Sequence, residues 1–307
     1  MRVRAVAISL WSHPQGRFGV VVIALWIVVA LTSCVWTPVP LTQANGYDAW
    51  QGPSLGHPLG TDGTGADVLS WLMAGSRIDL LIVLLTTALA AIEGLLLLGF
   101  MAAAGPAASA AMAVMTDALI SIPTVLVALI LAVPLGAGVA VVVLACGLGY
   151  GLNLARVARP RVLLASRSGY VEAARASGGS WARVVLGHVI PNAVPVLAVQ
   201  LSLSAATAVL AESGLTYLGI GVPTGTPSWG SSLAASVGLV SVHPLTVVWP
   251  GLVVTVVVAA LNLFGDALGE AVDPVANPLL RRASSSSASR HRARASHDVA
   301  TKRGEEP

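Results

Sequence analysis

The chain has 307 residues, of which 55% are apolar and only 10% charged, against about 25% charged in an ordinary soluble domain. With a mean hydropathy of +0.81, that balance excludes a water-soluble enzyme. The net charge of +3 is concentrated at the C-terminus, where residues 281–307 hold seven basic and three acidic groups. The basic pI therefore belongs to that tail, and nothing suggests the folded basic face that binding a nucleic acid needs. Cys34 and Cys146 lie in separate apolar runs, which argues for packing rather than a disulfide framework.

A helix crosses the hydrocarbon core with about 20 mostly apolar residues. Six stretches qualify: Phe18 to Trp36, Asp79 to Ala103, Ala110 to Val133, Gly138 to Ala158, Val189 to Ala211 and Thr246 to Leu268. The first follows basic residues and runs through Leu31-Thr32-Ser33-Cys34, which is similar to a lipoprotein cleavage segment; it is also long enough to span uncleaved, and the count of six takes it so. Ser213 to Gly265 holds no Asp, Glu, Lys or Arg. Its Gly-, Pro- and Ser-rich half, up to Pro244, is expected to form a structured or re-entrant loop.

Basic residues collect on the cytoplasmic side of membrane proteins. With the N-terminus inside, 16 of the 17 Lys and Arg fall there and only Arg77 falls outside. Both termini are then cytoplasmic. The expected organisation is a short cytoplasmic N-terminus (1–17), a transmembrane domain (18–280) and a disordered basic tail (281–307). The domain has an extracytoplasmic loop at 37–78 and a cytoplasmic loop at 159–188.

That cytoplasmic loop carries the most information. Arg156, Arg159 and Arg161 suit a helix end facing anionic lipid. Ser168 is a candidate N-cap, Glu172 falls near the positive end of a helix dipole, and Gly178 or Gly179 can take the left-handed conformation that ends a helix. The segment thus predicts a helix of about two to three turns. Ala173, Ala174 and Ala176 keep its bulk low, with Arg175 and Arg183 around it, which suits docking; an amphipathic helix resting on headgroups is the alternative. Pro191 is placed at the start of span five, and a lone His188 is more readily a structural histidine than a metal ligand.

Glu172-Ala-Ala, Gly178 and His188-x-x-Pro191-Asn192 resemble the EAA loop of ABC importer permeases. His57-Pro-Leu-Gly-Thr-Asp62, Gly65-Ala-Asp67-Val-Leu-Ser70, Asp117-Ala-Leu-Ile-Ser-Ile-Pro123, Glu212-x-x-Leu-x-Tyr-Leu-Gly-Ile-Gly221, Pro227-Ser-Trp-Gly230 and Asn262-Leu-Phe-Gly-Asp266 through Asp273-Pro274 narrow the resemblance to the C-type subunit of the dipeptide/oligopeptide/nickel branch. Ala66 and Trp71 replace basic residues common in that branch.

The resemblance implies an all-α polytopic membrane protein of the bacterial cytoplasmic membrane, type I ABC importer-like, with six transmembrane helices and a cytoplasmic coupling helix. It implies ATPase coupling through Tyr170, Glu172, Ala173, Ala174, Arg175, Gly178, Arg183, His188, Pro191 and Asn192. The implied partners are a homologous second permease in a heterodimer, two ATPase subunits, an extracytoplasmic solute-binding protein and membrane lipid. ATP and Mg would be held by the ATPases. This chain contains no Gly-x-x-x-x-Gly-Lys-Ser/Thr loop to cradle phosphate, and no cofactor, metal or catalytic residue is expected in it.

Intramembrane acids default to functional hypotheses. Glu93, mid-span without an adjacent base, is a candidate for the translocation path. Asp117 and Asp266 suit pairing with Arg156 or Arg159, with Asp117 also a pathway candidate, and Glu212 is a candidate for the outer gate. Gly94, Gly99, Gly147, Gly149 and Gly151 suit close helix crossings, and Trp229 and Trp249 an interfacial belt. The expected activity is ATP-dependent import of peptides or peptide-like solutes by alternating access. Its rivals are nickel or another small solute on the same fold, an ion-coupled secondary transporter using Glu93 and Asp117, and a non-transporting scaffold.

Overall fold

The computed structural model describes residues 2–273 and residue 277, and among them the regular structure is helical throughout. The chain order is α1 (Arg2–Ser12), α2 (Pro14–Ser33), α3 (Val68–Ala103), α4 (Pro106–Ile120), α5 (Thr124–Leu135), α6 (Val139–Ser166), α7 (Gly169–Ala176), α8 (Trp181–Val184), α9 (Ile190–Tyr217), α10 (Trp229–Ser236) and α11 (Pro244–Val272). A π-helical turn, Val185–Val189, joins α8 to α9. The tail expected to be disordered, and Pro274, lie outside the described residues.

Five helical stretches are long and apolar enough to cross a membrane, and α4 with α5 makes a sixth, bent by 78°. The third span is therefore broken rather than continuous. The break falls at Ser121-Ile122-Pro123, where the proline has no N–H for the α4 ladder and disfavours helical geometry in the residue before it.

Two further boundaries move. The second span starts at Val68, eleven residues before Asp79, because Asp67 caps it: its Oδ2 accepts from Ser70 N at 2.8 Å and from Ser70 Oγ at 2.7 Å. The fifth is helical from Trp181 to Tyr217, with Pro191 in the first turn of α9 as expected and α8 and the π turn running on before it. Pro191 cannot donate to the carbonyl four residues back, and the wider π turn just before it accommodates that gap.

Small residues bring the spans together. A Cβ on Gly94 would meet Leu154 of α6 at 2.7 Å, one on Gly147 would meet Leu89 at 2.6 Å, and one on Gly151 would overlap the Glu93 carboxylate. Gly99 has open space beside it and Gly149 only an ordinary contact at 3.5 Å, so those two are not crossing points. Gly265 plays the same part between α11 and α9, against Ser202.

The first loop folds on its own motif. Asp62 Oδ1 accepts from Thr64 N, Thr64 Oγ1 and Ala66 N at 2.8, 2.7 and 3.0 Å, and His57 Nδ1 meets Asp67 Oδ1 at 3.1 Å. Gly65 has φ +77° and is pressed against the Asn45 backbone, so only glycine fits there.

Candidate functional site

The helix expected after Ser168 is α7, two turns long, lying between the end of α6 and the start of the α8–α9 segment. One fully buried side chain seats it, with Ala174 packed partly against the same cluster. Val171 is fully buried among Val162, Ala165, Val184, Val185 and Val189, while Glu172, Ala173, Arg175 and Ala176 are exposed. Burying one valine contributes about 1.5–3 kcal/mol, enough to hold a two-turn helix against the bundle while leaving its other faces bare.

Its ends are defined by backbone rather than side chain. Ser168 has extended N-cap geometry, but its hydroxyl donates to Ala165 O at 2.6 Å instead of capping α7. At the C-terminus Gly178, at φ +82°, donates to Arg175 O at 3.0 Å and Gly179 donates to Ala174 O at 3.1 Å. This is a Schellman turn, whose left-handed position glycine takes without the cost that a side chain adds. The turn folds the chain back so that the Arg175 guanidinium lies 5.2 Å over the Trp181 ring.

Tyr170, His188 and Asn192 come together on the neighbouring face. Asn192 Nδ2 donates to the Tyr170 hydroxyl at 2.5 Å, and the Tyr170 and His188 rings meet edge-on at 6.5 Å. Arg161 Nε donates to Asn192 O at 3.4 Å. Helices α6, α7 and α9 are thus tied by polar contacts above the Val171 cluster. Pro191 is exposed beside Asn192, and Arg183 is exposed on α8.

The membrane acids separate into different environments. Asp117 pairs with Arg156 Nε at 3.2 Å, both more than half exposed. Asp266 is exposed and makes no ion pair among the described residues, so the pairing expected for it is absent there. Glu93 is half-buried between α3 and α6, its Oε2 enclosed without a hydrogen-bond partner among the described residues.

Glu212 lies inside α9 and is 1% exposed. Thr216 Oγ1 donates to its Oε1 at 2.9 Å, Gly230 packs on both its oxygens, and its carboxyl faces that of Asp79 from α3. Asp79 Oδ2 accepts from Trp229 N at 3.0 Å, and Trp229 Nε1 donates to Leu72 O at 3.0 Å. Trp229 is 2% exposed and its ring is 5.3 Å from that of Trp26, so it is a core residue and not part of an interfacial belt.

Sequence reasoning missed Asp79, Val171, Trp26 and Trp181 as partners in these clusters. Only α7's backbone reversal brings Trp181 to Arg175, and only the early start of α3 puts Asp79 within the bundle.

The family described as "Binding-protein-dependent transport system inner membrane component" matches residues 95–277. That stretch takes in α4 to α11 and every residue of the α7 platform. The chain belongs to this family. The permease is 35% identical over 262 residues to a probable peptide ABC transporter permease protein of Sinorhizobium fredii, covering 85% of this chain and 89% of that one. It is 27% identical over 281 residues to the oligopeptide transport system permease protein OppC of Bacillus subtilis, covering 89% and 92%.

Among solved structures, a chain of the MetNI methionine ABC transporter in inward-facing conformations aligns with a TM-score of 0.54 at 16% identity, covering 65% of the permease and 94% of that chain. The fold is that of a type I ABC importer permease. The expected fold class and family both hold.

Proposed function

We propose that the permease is one membrane subunit of an ATP-driven importer for peptides or peptide-like solutes, and that α7 is where its motor docks. The observation that carries this reading is the α7 platform: an exposed face of Glu172, Ala173 and Ala176, held by one buried valine and a glycine turn, in a chain of this family. Side chains this short let another surface approach the helix backbone, and Arg175 and Arg183 supply charge at its rim.

ATP hydrolysis belongs to separate ATPase subunits, since this chain has no phosphate-cradling loop. A second homologous permease completes the pore and an extracytoplasmic binding protein delivers the solute. The distribution of basic residues supports cytoplasmic termini and a cytoplasmic α7. The relatives' descriptions as peptide permeases support the solute class.

Transport proceeds by a two-state bundle biased by the ATPases at one end and the loaded binding protein at the other. Glu93, half-buried in the second span, lies on the path. Asp117 and Glu212, held by Arg156 and by the Thr216–Asp79–Trp229 cluster, act as anchors around it.

The test is to purify the tagged permease in mild detergent, identify what accompanies it, and reconstitute the assembly in vesicles with the binding protein. A second six-span permease and ATPases in the preparation, with peptide uptake that requires ATP, is the expected result. A permease that purifies alone and moves solute without any ATPase overturns the reading.

A further inference from the structure

The first helix of the chain is apolar on two opposite faces, and the bundle uses one of them. α1 folds back sharply on the start of α2: a β-carbon on Gly16 would collide with the Leu10 carbonyl, and one on Gly19 would meet Phe264 of α11 at 2.7 Å. Leu10 is buried against Ala267 and Ala271 of α11, with Val6 packed beside it. Residues 6 and 10, one helical turn apart, therefore pin α1 to the last turns of α11.

At about 100° per residue, the opposite side of α1 carries Arg4, Ala7, Ile8 and Trp11. Together with Ser12 they line a shallow cleft. Ile8 is 50% exposed and Trp11 56%. Arg4 is exposed and makes no ion pair or hydrogen bond among the described residues, and no acid lines the cleft among them. The Ser12 hydroxyl already donates to Ser9 O at 2.7 Å, which leaves the Arg4 guanidinium and the Trp11 indole N–H as the open side-chain donors.

The position of α1 decides what covers this face. It precedes the first span and packs on the end of the last one, at the level that the distribution of basic residues places in the cytoplasm. Phe18, Val21 and Leu25, exposed on α2 directly after it, belong to a lipid-crossing helix, so α1 lies at headgroup depth. An apolar stripe with a tryptophan and a cation at that depth has the character of an interfacial helix. The inner leaflet supplies the complementary charge, since its anionic headgroups attract arginine and a guanidinium matches a phosphate with two parallel hydrogen bonds.

We propose that the cleft holds one anionic phospholipid of the inner leaflet, with its phosphate on the Arg4 guanidinium and its acyl region along Ile8 and Trp11. A lipid there fills the open side of a helix whose other side is fixed to α11, and so steadies the cytoplasmic end of the last span. The proposal rests on the membrane reading and on a cytoplasmic N-terminus, and is independent of the solute.

The test is native mass spectrometry of the full-length permease released from micelles that hold equal amounts of dioleoylphosphatidylglycerol and dioleoylphosphatidylcholine. The wild type retains phosphatidylglycerol in about fivefold excess, the preference expected from one basic residue at an anionic surface. Arg4→Gln brings the two lipids to parity. Lys302→Gln removes the same charge from the C-terminal tail and keeps the wild-type ratio. Trp11→Ser lowers retention of both lipids, and millimolar inorganic phosphate displaces neither, because it cannot fill the apolar half of the cleft.

Equal retention of the two lipids by the wild type overturns the proposal, and that comparison needs no variant to fold. An excess of phosphatidylglycerol that survives Arg4→Gln also overturns it, since the charge then lies elsewhere, and so does displacement of the lipid by phosphate, which marks a plain anion site. If Trp11→Ser leaves both lipids in place and strips a protein subunit from the complex, the face belongs to that subunit and the proposal falls. Orientation is read separately: an N-terminal tag open to protease in sealed inside-out vesicles supports the inner placement, and a protected tag removes the inner-leaflet assignment whatever the lipid preference.

Discussion

Replacing Gly178 with tryptophan tests the docking role of α7 with little risk to the fold. The residue sits at φ +82°, and a β-carbon added there meets nothing within 4 Å. The internal cost is therefore the left-handed backbone alone, about 1–2 kcal/mol for a residue with a side chain. A domain stable by about 5–15 kcal/mol tolerates that. The indole instead projects from the turn that closes the exposed face of α7, where a docked ATPase would have to accommodate it.

Forcing such a side chain into a packed contact costs up to about 3 kcal/mol, somewhat over a hundredfold in affinity. The assay is co-purification of the ATPases with the tagged permease, alongside ATP-dependent uptake in vesicles. Gly178→Asn is the control, since asparagine tolerates the left-handed region with little added bulk. The tryptophan variant is expected to insert and melt near the wild type but to lose its ATPases and uptake, with the asparagine variant retaining most of both. Undiminished uptake in the tryptophan variant refutes the reasoning, and so does equal damage in the two variants, which would assign the effect to the turn itself.

Other substitutions separate seating from packing. Tyr170→Phe removes the acceptor of the Asn192 bond and is expected to lower coupled uptake roughly two- to tenfold, the worth of one hydrogen bond, while the complex still co-purifies; loss of the complex would contradict a purely positioning part. Gly151→Val forces α3 away from α6 at Glu93 and costs about 2–3 kcal/mol, visible as a lower unfolding midpoint in detergent, and an unchanged midpoint would show that the crossing yields. Glu212→Ala strips the acceptor of Thr216 and opens space beside Asp79, a loss of about 2–4 kcal/mol in the same melt. Asp117→Asn, in an ion pair more than half exposed on both sides, is expected to change that melt by less than about 1 kcal/mol.

The helical fold and α7 were legible because they rest on local signals: apolar runs of spanning length and a glycine pair that can reverse the chain. Gly178 and Gly179 announce their turn in sequence, and the backbone bonds to Arg175 and Ala174 realise it. What stayed hidden depends on long-range register. Asp79 looked like the first residue of a span because hydropathy marks the lipid-facing stretch, whereas the helix begins at the Asp67 cap. Glu212 looked like a gate residue because it closes an apolar run, and only the return of Trp229 and Gly230 onto α9 encloses it. Two of the five glycines read as crossing points face open space or an ordinary contact, since small residues permit close approach without causing it.

The unbroken helical stretch from Trp181 to Tyr217 has a mechanical consequence. Its 37 residues make a strut about 55 Å long, with the α7 attachment at one end and the Glu212 cluster near the other. Because the helix resists compression, displacement at one end is conveyed as tilt instead of being absorbed along the way. A tilt of about 5° about the α7 end sweeps the far end through about 5 Å, by the same rise per residue. That is about the width of one side chain, at the level where α10 packs against α9. The π turn at Val185–Val189 lies at the base of this lever, so, on the docking role proposed for α7, a push there would be geared into a larger excursion at the far end.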